Sequence, residues 1–383
     1  MSDTATRKVR NKKPRRLTWQ IWAIGGIVVL TAVILALILF PETLNLGRVV
    51  RSFRYSGAKN QAPIVFEANS TNDYAAQRNL FLVGSESALF LYDDKGGQIS
   101  LAQSAMPNPV LDVSDKLIVC HGVGNSGLLV LDRHGNTLLS QTVTGTLLDL
   151  DLSPDDCIAY VTAEKGYKSV ATVMDRDRQE IYKWYSSSQY LNLCAISKKA
   201  EYLAVAQLGV TDGVFRTNVT LLRTDREDPI ASLELGNQVL WDLFFLGDRL
   251  CAVGQDEITF INPDGSVENR FPLSGLYLDD FARGDDFLVL AVNQNKAGSK
   301  VDLVVLTKTG EEKSREYLGA QVRSLSVCGK YIAVLTDGNV TVYSKRLKPY
   351  YSSTEVGSAN RALVREDGSL LLVSSGEAEI LAS

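Results

Sequence analysis

Side chains that can bind a cation recur along the chain at intervals of roughly 40 residues. Aligned on the apolar strand that holds each of them, they occupy one equivalent position, and the aligned set is Asp73, Val110, Asp149, Asn192, Asp242, Asp279, Ser324 and Ala362. Four carboxylates in one ring would attract cations, and carboxylate and carbonyl oxygens are ligands that Ca²⁺ prefers. The candidate ligand-binding residues are therefore Asp73, Asp149, Asn192, Asp242 and Asp279, with Ca²⁺, a cationic peptide or a glycan as alternative ligands.

The same side chains also have a simpler use. Asp and Asn at strand starts commonly accept hydrogen bonds from nearby backbone amides, and here such bonds would tie neighbouring repeats together. The two interpretations differ in where the side chains point. Ligand binding requires them to face a common centre, whereas the structural role requires them to lie between repeats, and the sequence leaves both open.

Motifs of the common enzyme classes are absent from the sequence. The two histidines, His121 and His134, lie in no metal-binding spacing, and no C-x-x-C pair occurs. We expect His121 at a strand end and His134 in a hairpin turn. There is no nucleophile elbow, no P-loop and no dinucleotide-binding glycine motif. The sequence therefore predicts no catalytic residue and no His- or Cys-based metal site.

The cysteines fall one per repeat, within or beside predicted strands, and they are Cys120, Cys157, Cys194, Cys251 and Cys328. An odd number distributed in this way does not indicate a disulfide framework. Free cysteine is among the residue types most often buried as small apolar groups. We therefore expect five unpaired thiols, most of them in the core.

Charge is distributed unevenly along the 383 residues. Residues 1–59 carry a net charge of +9, and residues 60–383 carry −13, which together give the net charge of −4. Binding to nucleic-acid phosphates requires positive charge. The acidic charge of the larger segment therefore argues against nucleic acid as its partner.

An apolar segment of 25 uncharged residues extends from Leu17 to Pro41. Since about 20 helical residues cross a hydrocarbon core of roughly 30 Å, the segment predicts a transmembrane helix. It is longer than the core of a signal peptide and ends without a small-x-small cleavage site. Seven Lys and Arg precede it and four follow it before residue 60, which places the N-terminus in the cytoplasm. The predicted order is a basic cytoplasmic tail (1–16), a transmembrane helix (17–41), a juxtamembrane linker (42–62) and a β-propeller domain (63–383).

The remainder of the chain repeats a unit of four short strands. Each unit has an apolar strand, a Ser/Gly/Asp turn, a very apolar strand, a third strand that ends in a polar turn, and a fourth strand; the units begin near residues 73, 109, 146, 190, 239, 277, 321 and 359. Four antiparallel strands at a period near 40 residues are typical of a propeller blade. The sequence therefore predicts an all-β propeller of about eight blades, with seven as the alternative.

The two ends of the repeat region complement each other. The last unit stops after three strands, and residues 63–67 form a spare strand before the first unit. A spare strand that completes the last blade would close the ring and remove a free sheet edge. Two β-sandwiches, the other all-β arrangement considered, would not give one continuous period with complementary ends.

The stretch Ser153-Pro-Asp-Asp-Cys-Ile-Ala-Tyr-Val161 resembles the turn and following strand of many propeller repeats. The order of basic tail, single span and propeller resembles the single-pass, membrane-anchored propeller proteins of clostridial and related Gram-positive bacteria, whose architecture is PQQ-like and WD40-like. The one Trp-Asp pair, Trp241-Asp242, lies early in its unit and not where WD40 repeats carry it, and the tryptophan-docking repeats of quinoprotein dehydrogenases are absent. Without those repeats, nothing in the sequence supports a quinone cofactor. The resemblance implies an extracytoplasmic scaffold.

These observations favour a membrane-anchored, extracytoplasmic binding protein without enzymatic activity, whose ligand is a protein or a cell-envelope component. Rigid scaffolds usually carry recognition on their loops. The alternatives are a glycan-active enzyme that works from paired carboxylates and an accessory subunit of a membrane complex, with Gly25-Gly26 against a partner span. A sugar site needs exposed aromatic rings, and only Trp241 and Tyr277 lie near the acidic positions in sequence. That scarcity favours binding over catalysis.

Overall fold

The computed structural model describes residues 63–381, apart from residues 212, 296–297 and 299. This part of the chain forms 32 strands in eight four-stranded antiparallel sheets, and it contains no helix. The predicted β-propeller is confirmed, and the number of blades is eight. The predicted tail, transmembrane helix and linker (1–62) lie outside the described residues. Among the residues that are described, no helix is long and apolar enough to cross a membrane.

Blades 1 to 4 each consist of four consecutive strands that pair in chain order. Their strands are β2 (Asp73–Gln77), β3 (Leu80–Gly84), β4 (Ala88–Tyr92) and β5 (Gln98–Gln103); β6 (Pro109–Val113), β7 (Leu117–Gly122), β8 (Gly127–Asp132) and β9 (Thr137–Thr142); β10 (Thr146–Leu152), β11 (Ile158–Ala163), β12 (Ser169–Met174) and β13 (Glu180–Ser186); and β14 (Tyr190–Ile196), β15 (Tyr202–Thr211), β16 (Val214–Arg223) and β17 (Ala231–Glu234).

Blades 5 to 7 repeat this arrangement, and blade 8 takes its fourth strand from the start of the domain. Their strands are β18 (Leu240–Leu246), β19 (Arg249–Gly254), β20 (Glu257–Ile261) and β21 (Val267–Pro272); β22 (Tyr277–Arg283), β23 (Phe287–Asn293), β24 (Val301–Thr307) and β25 (Glu312–Tyr317); β26 (Val322–Cys328), β27 (Tyr331–Thr336), β28 (Val340–Tyr343) and β29 (Pro349–Ser353); and β30 (Arg361–Val364), β31 (Leu370–Ser374), β32 (Glu377–Leu381) and β1 (Ile64–Val65).

The spare strand closes the ring as the sequence predicts. In β1, Ile64 pairs with Ala378 and Val65 with Glu377 of β32, so that residues more than 300 positions apart share one sheet. Ile64 is buried, and it packs with Phe81 of blade 1 across the closure. Pairing of this kind leaves no blade with a missing outer strand.

The core lies between blades and not within them. Eight apolar clusters each join two consecutive blades, including the cluster that joins blade 8 to blade 1. Second strands are therefore covered on both faces, as in β7 and β23, where every residue is buried. Fourth strands alternate between exposed and half-buried residues, as in β9, because one face is open to solvent at the rim.

In blades 1 to 3, a carboxylate holds the hairpin between the third and fourth strands. Asp132 Oδ1 accepts hydrogen bonds from the backbone amides of His134 (2.8 Å) and Asn136 (2.9 Å). Gly135 in the same turn has a positive φ of 83°, which a glycine adopts without strain. His134 is exposed in this turn, as the sequence predicts.

The five cysteines are unpaired, which the sequence also predicts. Cys120, Cys157, Cys194 and Cys251 are buried, and Cys328 is half-buried. Burial raises the pKa of the Cys194 and Cys251 thiols well above the usual value, so these groups are protonated apolar fillers of the blade interfaces.

Candidate functional site: the channel mouth and the aromatic arc

The first strand of every blade lines the centre of the ring, and these strands run parallel to one another. Asp73 Oδ2 accepts a hydrogen bond from Leu111 N of blade 2 (2.9 Å), and Asp149 Oδ2 accepts one from Cys194 N of blade 4 (2.7 Å). Asp151, two residues further along, accepts one from Ile196 N (2.8 Å). Asp149 and Asp151 follow each other in β10, and their amide partners Cys194 and Ile196 follow each other in the same order in β14. The two strands therefore run parallel, and the first strands of the blades start at one face of the ring. We call it the upper face; it carries the loops between blades and the hairpins between second and third strands.

A bulge shifts the alignment in blades 3 to 7. We call the position of Asp149 in β10, and its equivalent in the other first strands, the channel position. In each of these five blades one extra residue precedes it, and the extra residues are Leu148, Asn192, Trp241, Asp279 and Arg323. By its pairing with the second strand, the residue equivalent to Asp149 and Asp242 is Leu193 in blade 4 and Asp280 in blade 6. The sequence alignment placed Asn192 and Asp279 one residue too early. It missed Asp280, whose Oδ2 accepts a hydrogen bond from Leu325 N of blade 7 (2.9 Å).

The predicted site residues thus have different surroundings. Asp73 and Asp149 are half-buried and bonded to the next blade, and Asp242 accepts a hydrogen bond from its neighbour Leu243 N (2.7 Å). Asp279 is exposed, and its Oδ2 accepts a bond from Asn293 Nδ2 of the same blade (3.1 Å). Asn192 is half-buried, and its Oδ1 has no hydrogen-bond partner among the described residues.

Arg283 crosses the channel. It lies at the end of β22 in blade 6, and its guanidinium contacts Asp151 of blade 3 at 3.2 Å and Asp112 of blade 2 at 4.0 Å. Blades 2 and 6 are opposite each other in an eight-membered ring, so a contact between them must pass through the centre. The guanidinium carbon also lies 5.6 Å from the ring centroid of Phe244 in blade 5. Although Arg283 is enclosed by four blades, 44% of its side chain is exposed, as a channel position requires.

Arg283 acts on three carboxylates of this region, Asp151, Asp242 and Asp112. Burial raises the pKa of Asp242 to about 6, against the attraction of Arg283 and with added repulsion from Asp151 and Asp112. Burial also raises the pKa of Asp149 well above its usual value, and the charges of Asp242 and Asp151 raise it further. The pKa of Asp151 is raised by burial in spite of its contact with Arg283. The cluster Asp112, Asp149, Asp151 and Asp242, which we call the channel acids, is therefore under-neutralised.

A buried histidine lies behind the channel acids. His121 on β7 is 2% exposed, and its Nε2 lies 3.4 Å from Asp112 Oδ2. This contact does not have the geometry of a hydrogen bond. The sequence predicts this histidine at a strand end, and the structure places it in β7, one residue before the strand ends. Its proximity to Asp112 could not be read from the spacing.

Exposed aromatic side chains lie on the upper face of half the ring. All seven exposed aromatic residues of the described chain occur in blades 3 to 6, at strand starts, strand ends or the adjoining hairpins, and they are Tyr167, Tyr185, Tyr190, Phe215, Trp241, Tyr277 and Tyr317. We call them the aromatic arc. Of these, the sequence singled out only Trp241 and Tyr277.

The arc includes a projecting hairpin and an internal cation–ring contact. Strands β15 and β16 of blade 4 have ten residues each, and their tip exposes Val210 and Phe215. In blade 3, Lys168 Nζ lies 4.7 Å from the ring centroid of Tyr190, and it also donates to the Tyr190 hydroxyl (3.3 Å). These rings stand at the same face as the openings of the first strands, so the arc borders the mouth above the channel acids.

The channel acids do not form a metal centre. Within residues 63–381, leaving out the four positions not described, no group of three or more His, Cys, Asp or Glu side chains is placed to hold a metal ion. The two ordinary uses of these oxygens are already visible, since Asp149 and Asp151 accept backbone amides and Asp151 also binds Arg283. What remains chemically available is a group of carboxyls with raised pKa values, whose ionised forms a bound cation would stabilise, beside exposed rings.

Comparison with solved structures supports the fold. The chain is similar to the C-terminal WD40 domain of Sif2 (14% identity, 84% of this chain and 98% of that chain, TM-score 0.58). It is also similar to BamB from Moraxella catarrhalis (15% identity, 83% and 95%, TM-score 0.51) and to the computationally designed protein Ika8 (13% identity, 83% and 98%, TM-score 0.57). At such identities the likeness shows a shared propeller fold.

Two searches by sequence complete the comparison. No curated protein matches the chain. One family model matches residues 51–381, which is most of the sequence. The chain belongs to the family described as "Family of unknown function (DUF5711)".

Proposed function

We propose that this protein is a membrane-anchored binding scaffold whose propeller lies outside the cell and docks a protein or cell-envelope ligand on its upper face. The observation that carries the proposal is the aromatic arc. Exposed apolar patches on a soluble domain mark interaction sites, and Tyr and Trp are enriched at the centre of such sites. A closed ring holds these residues on short loops of a rigid support.

The proposed anchoring and orientation rest on the sequence. Residues 17–41 form an uncharged apolar segment of sufficient length, and the excess of Lys and Arg before it favours a cytoplasmic N-terminus. The propeller would then be extracytoplasmic. Five free thiols are compatible with a compartment in which structural disulfides are not obligatory.

One observation favours a second candidate, a glycan-active enzyme. The pKa of Asp242 is raised to about 6 by burial, which is the property expected of a general acid that works near neutral pH. The partner carboxylates argue against it. Asp149 and Asp151 are bonded to backbone amides of blade 4, and Asp151 is also bonded to Arg283, so neither is free to act as a base or nucleophile.

Site-specific photo-crosslinking of the full chain in its native membrane tests the proposal. A benzoylphenylalanine at Tyr190 or Tyr277 of the arc is compared with one at Arg133, an exposed residue in a hairpin of the opposite face. We expect an adduct of defined mass from the arc positions only. Equal adducts from both faces, or none from either arc position, would overturn the proposal. Protease digestion of intact cells tests the orientation, because an extracytoplasmic propeller is accessible and an inward-facing one is protected.

A further inference from the structure

The channel acids and the aromatic arc occupy the same sector of the ring. Arc residues belong to blades 3 to 6, and the channel acids belong to blades 2, 3 and 5. The two sets are also adjacent along the strands, since Trp241 precedes Asp242 directly and Tyr190 lies four residues before Cys194, the amide partner of Asp149. Successive residues of a strand advance by about 3.3 Å. A group seated on the arc is therefore within side-chain reach of the acids.

The protein itself places cations on aromatic rings in this region. Lys168 lies over Tyr190 on the arc, and Arg283 lies over Phe244 in the channel, where it also meets Asp151. Both contacts have the cation–ring geometry that stabilises ammonium and guanidinium groups. The interior contact satisfies only part of the negative charge, because Arg283 acts on Asp151, Asp242 and Asp112, and the charges of these three acids also act on Asp149. A second cation entering from the mouth would meet uncompensated carboxylates below and exposed rings around it.

We infer that the upper face binds a basic, extended segment of a partner protein, with its backbone on the aromatic arc and a Lys or Arg side chain in the channel beside Asp149 and Asp242. The inference rests on the proposed function and specifies its ligand. Charge complementarity selects this occupant: a neutral glycan would use the rings but leave the carboxylates without a counter-ion, and an acidic segment would be repelled. The propeller segment, with a net charge of −13 over residues 60–383, favours the same partner at longer range.

Two other acids of the channel, Asp73 and Asp280, lie near a second arginine. Asp73 of blade 1 and Asp280 of blade 6 each have the charge of Arg361 nearby, which acts to lower the pKa values that burial raises. Both carboxylates are also bonded to the amides of the next blade. Arg361 thus acts on two acids, whereas Arg283 acts on three, Asp151, Asp242 and Asp112. The binding position is for this reason on the side of blades 3 to 5.

The test measures the binding of fluorescent peptides to the full chain in a mild detergent. The probe is a labelled hexalysine, and the comparison probes are its fully acetylated form, a hexaglutamate and chitotetraose. We expect hexalysine to bind and the acetylated peptide and hexaglutamate to bind at least about tenfold more weakly. Affinity for hexalysine should fall as salt is raised.

Paired variants assign the binding to the channel. Asp149→Asn/Asp242→Asn and, separately, Tyr190→Ala/Trp241→Ala should each weaken hexalysine at least about tenfold. Asp264→Asn, which removes an exposed carboxylate from a turn of the opposite face, should leave it unchanged. Equal loss in the Asp264 variant, or no loss in the channel variant, would overturn the inference. If the wild type binds chitotetraose and Asp149→Asn/Asp242→Asn binds it equally well, the inference of a basic ligand is overturned, but the proposed docking face is kept. If Tyr190→Ala/Trp241→Ala binds every probe as the wild type does, both the inference and the proposed function are overturned.

Discussion

Replacing Asp242 by Asn should stabilise the fold at neutral and alkaline pH. Burial raises the pKa of this carboxyl from 3.8 to about 6, so the folded protein must ionise it at a cost that the unfolded chain does not bear. At about 1.36 kcal/mol per pKa unit, that cost is about 3 kcal/mol at pH 8. Asn keeps an oxygen that accepts the bond from Leu243 N but carries no charge. The free energy of unfolding should therefore rise by up to about 3 kcal/mol.

The pH dependence distinguishes this cause from a general packing effect. A raised carboxyl pKa contributes to stability at low pH, and the contribution is lost as pH rises through the folded-state pKa of about 6. The gain from Asp242→Asn should accordingly shrink to about 1 kcal/mol at pH 4.5, where most folded molecules hold the proton and part of the unfolded chains do not. Urea unfolding of the full chain in detergent, followed by circular dichroism at both pH values and equal ionic strength, measures the difference.

A matched carboxylate provides the control. Asp264 lies in an exposed turn, where hydrogen bonds from the Ser266 hydroxyl and backbone amide lower its pKa. Asp264→Asn should give no gain at pH 8, because the ionised form is the favoured one in the folded protein. The reasoning is refuted if Asp242→Asn is less stable than the wild type at pH 8, or if its gain is the same at pH 8 and pH 4.5.

Four further outcomes follow from the channel and from the ring closure. Arg283→Gln should cost about 1–2 kcal/mol at pH 8, since it leaves Asp112 and Asp151 without their cation; urea unfolding measures it. Because burial raises the pKa of Asp151, the cost should decrease as pH falls. Ile64→Asp should lower stability by more than about 3 kcal/mol, because it places a charge in the closure between β1 and β32 and uncovers a sheet edge; the unfolding midpoint and light scattering report both effects. A thiol reagent at pH 8 should leave the four buried cysteines unmodified in the native protein and label all five in urea; rapid labelling of the buried set without denaturant would contradict their placement. Hexalysine binding should strengthen between pH 5 and pH 8, because a bound cation favours the ionised forms of Asp149 and Asp242. The charged and titratable groups around these two carboxyls are Asp112, Asp151, Arg283 and His121. Fluorescence anisotropy measures the change, and binding that does not depend on pH would exclude the channel acids as the binding site of the peptide.

The architecture could be predicted from the sequence because each blade is local. Four consecutive strands joined by tight turns leave a repeated pattern of apolar runs and turn residues, and the register inside a blade follows from these turns. Even the long-range closure was predictable, since a unit that lacks its last strand and a spare strand at residues 63–67 complement each other. The number of blades follows from the same count.

The site was predicted only in part, for three physical reasons. The acids at Asp73, Asp149 and Asp242 follow the repeat, but a one-residue bulge in blade 6 moves the channel position from Asp279 to Asp280. Arg283 meets Asp151 across 132 residues of chain, and this contact exists only because the ring brings blades 3 and 6 together across the channel. The aromatic arc depends on which rings stay exposed, and an aromatic residue near a strand start is as compatible with the core as with the surface.

The uneven distribution of these features around the ring supports recognition over structure. Blades of similar build need apolar side chains to pack against their neighbours, and an apolar cluster accordingly lies between every two consecutive blades. Stability provides no comparable reason to confine exposed rings to blades 3 to 6, or to place three carboxylates around one arginine in the channel beside them. Both features reduce the stability or solubility of the isolated domain. A ligand that covers the rings and neutralises the acids would remove both costs at once, which is the reason for proposing that the two features form one binding site.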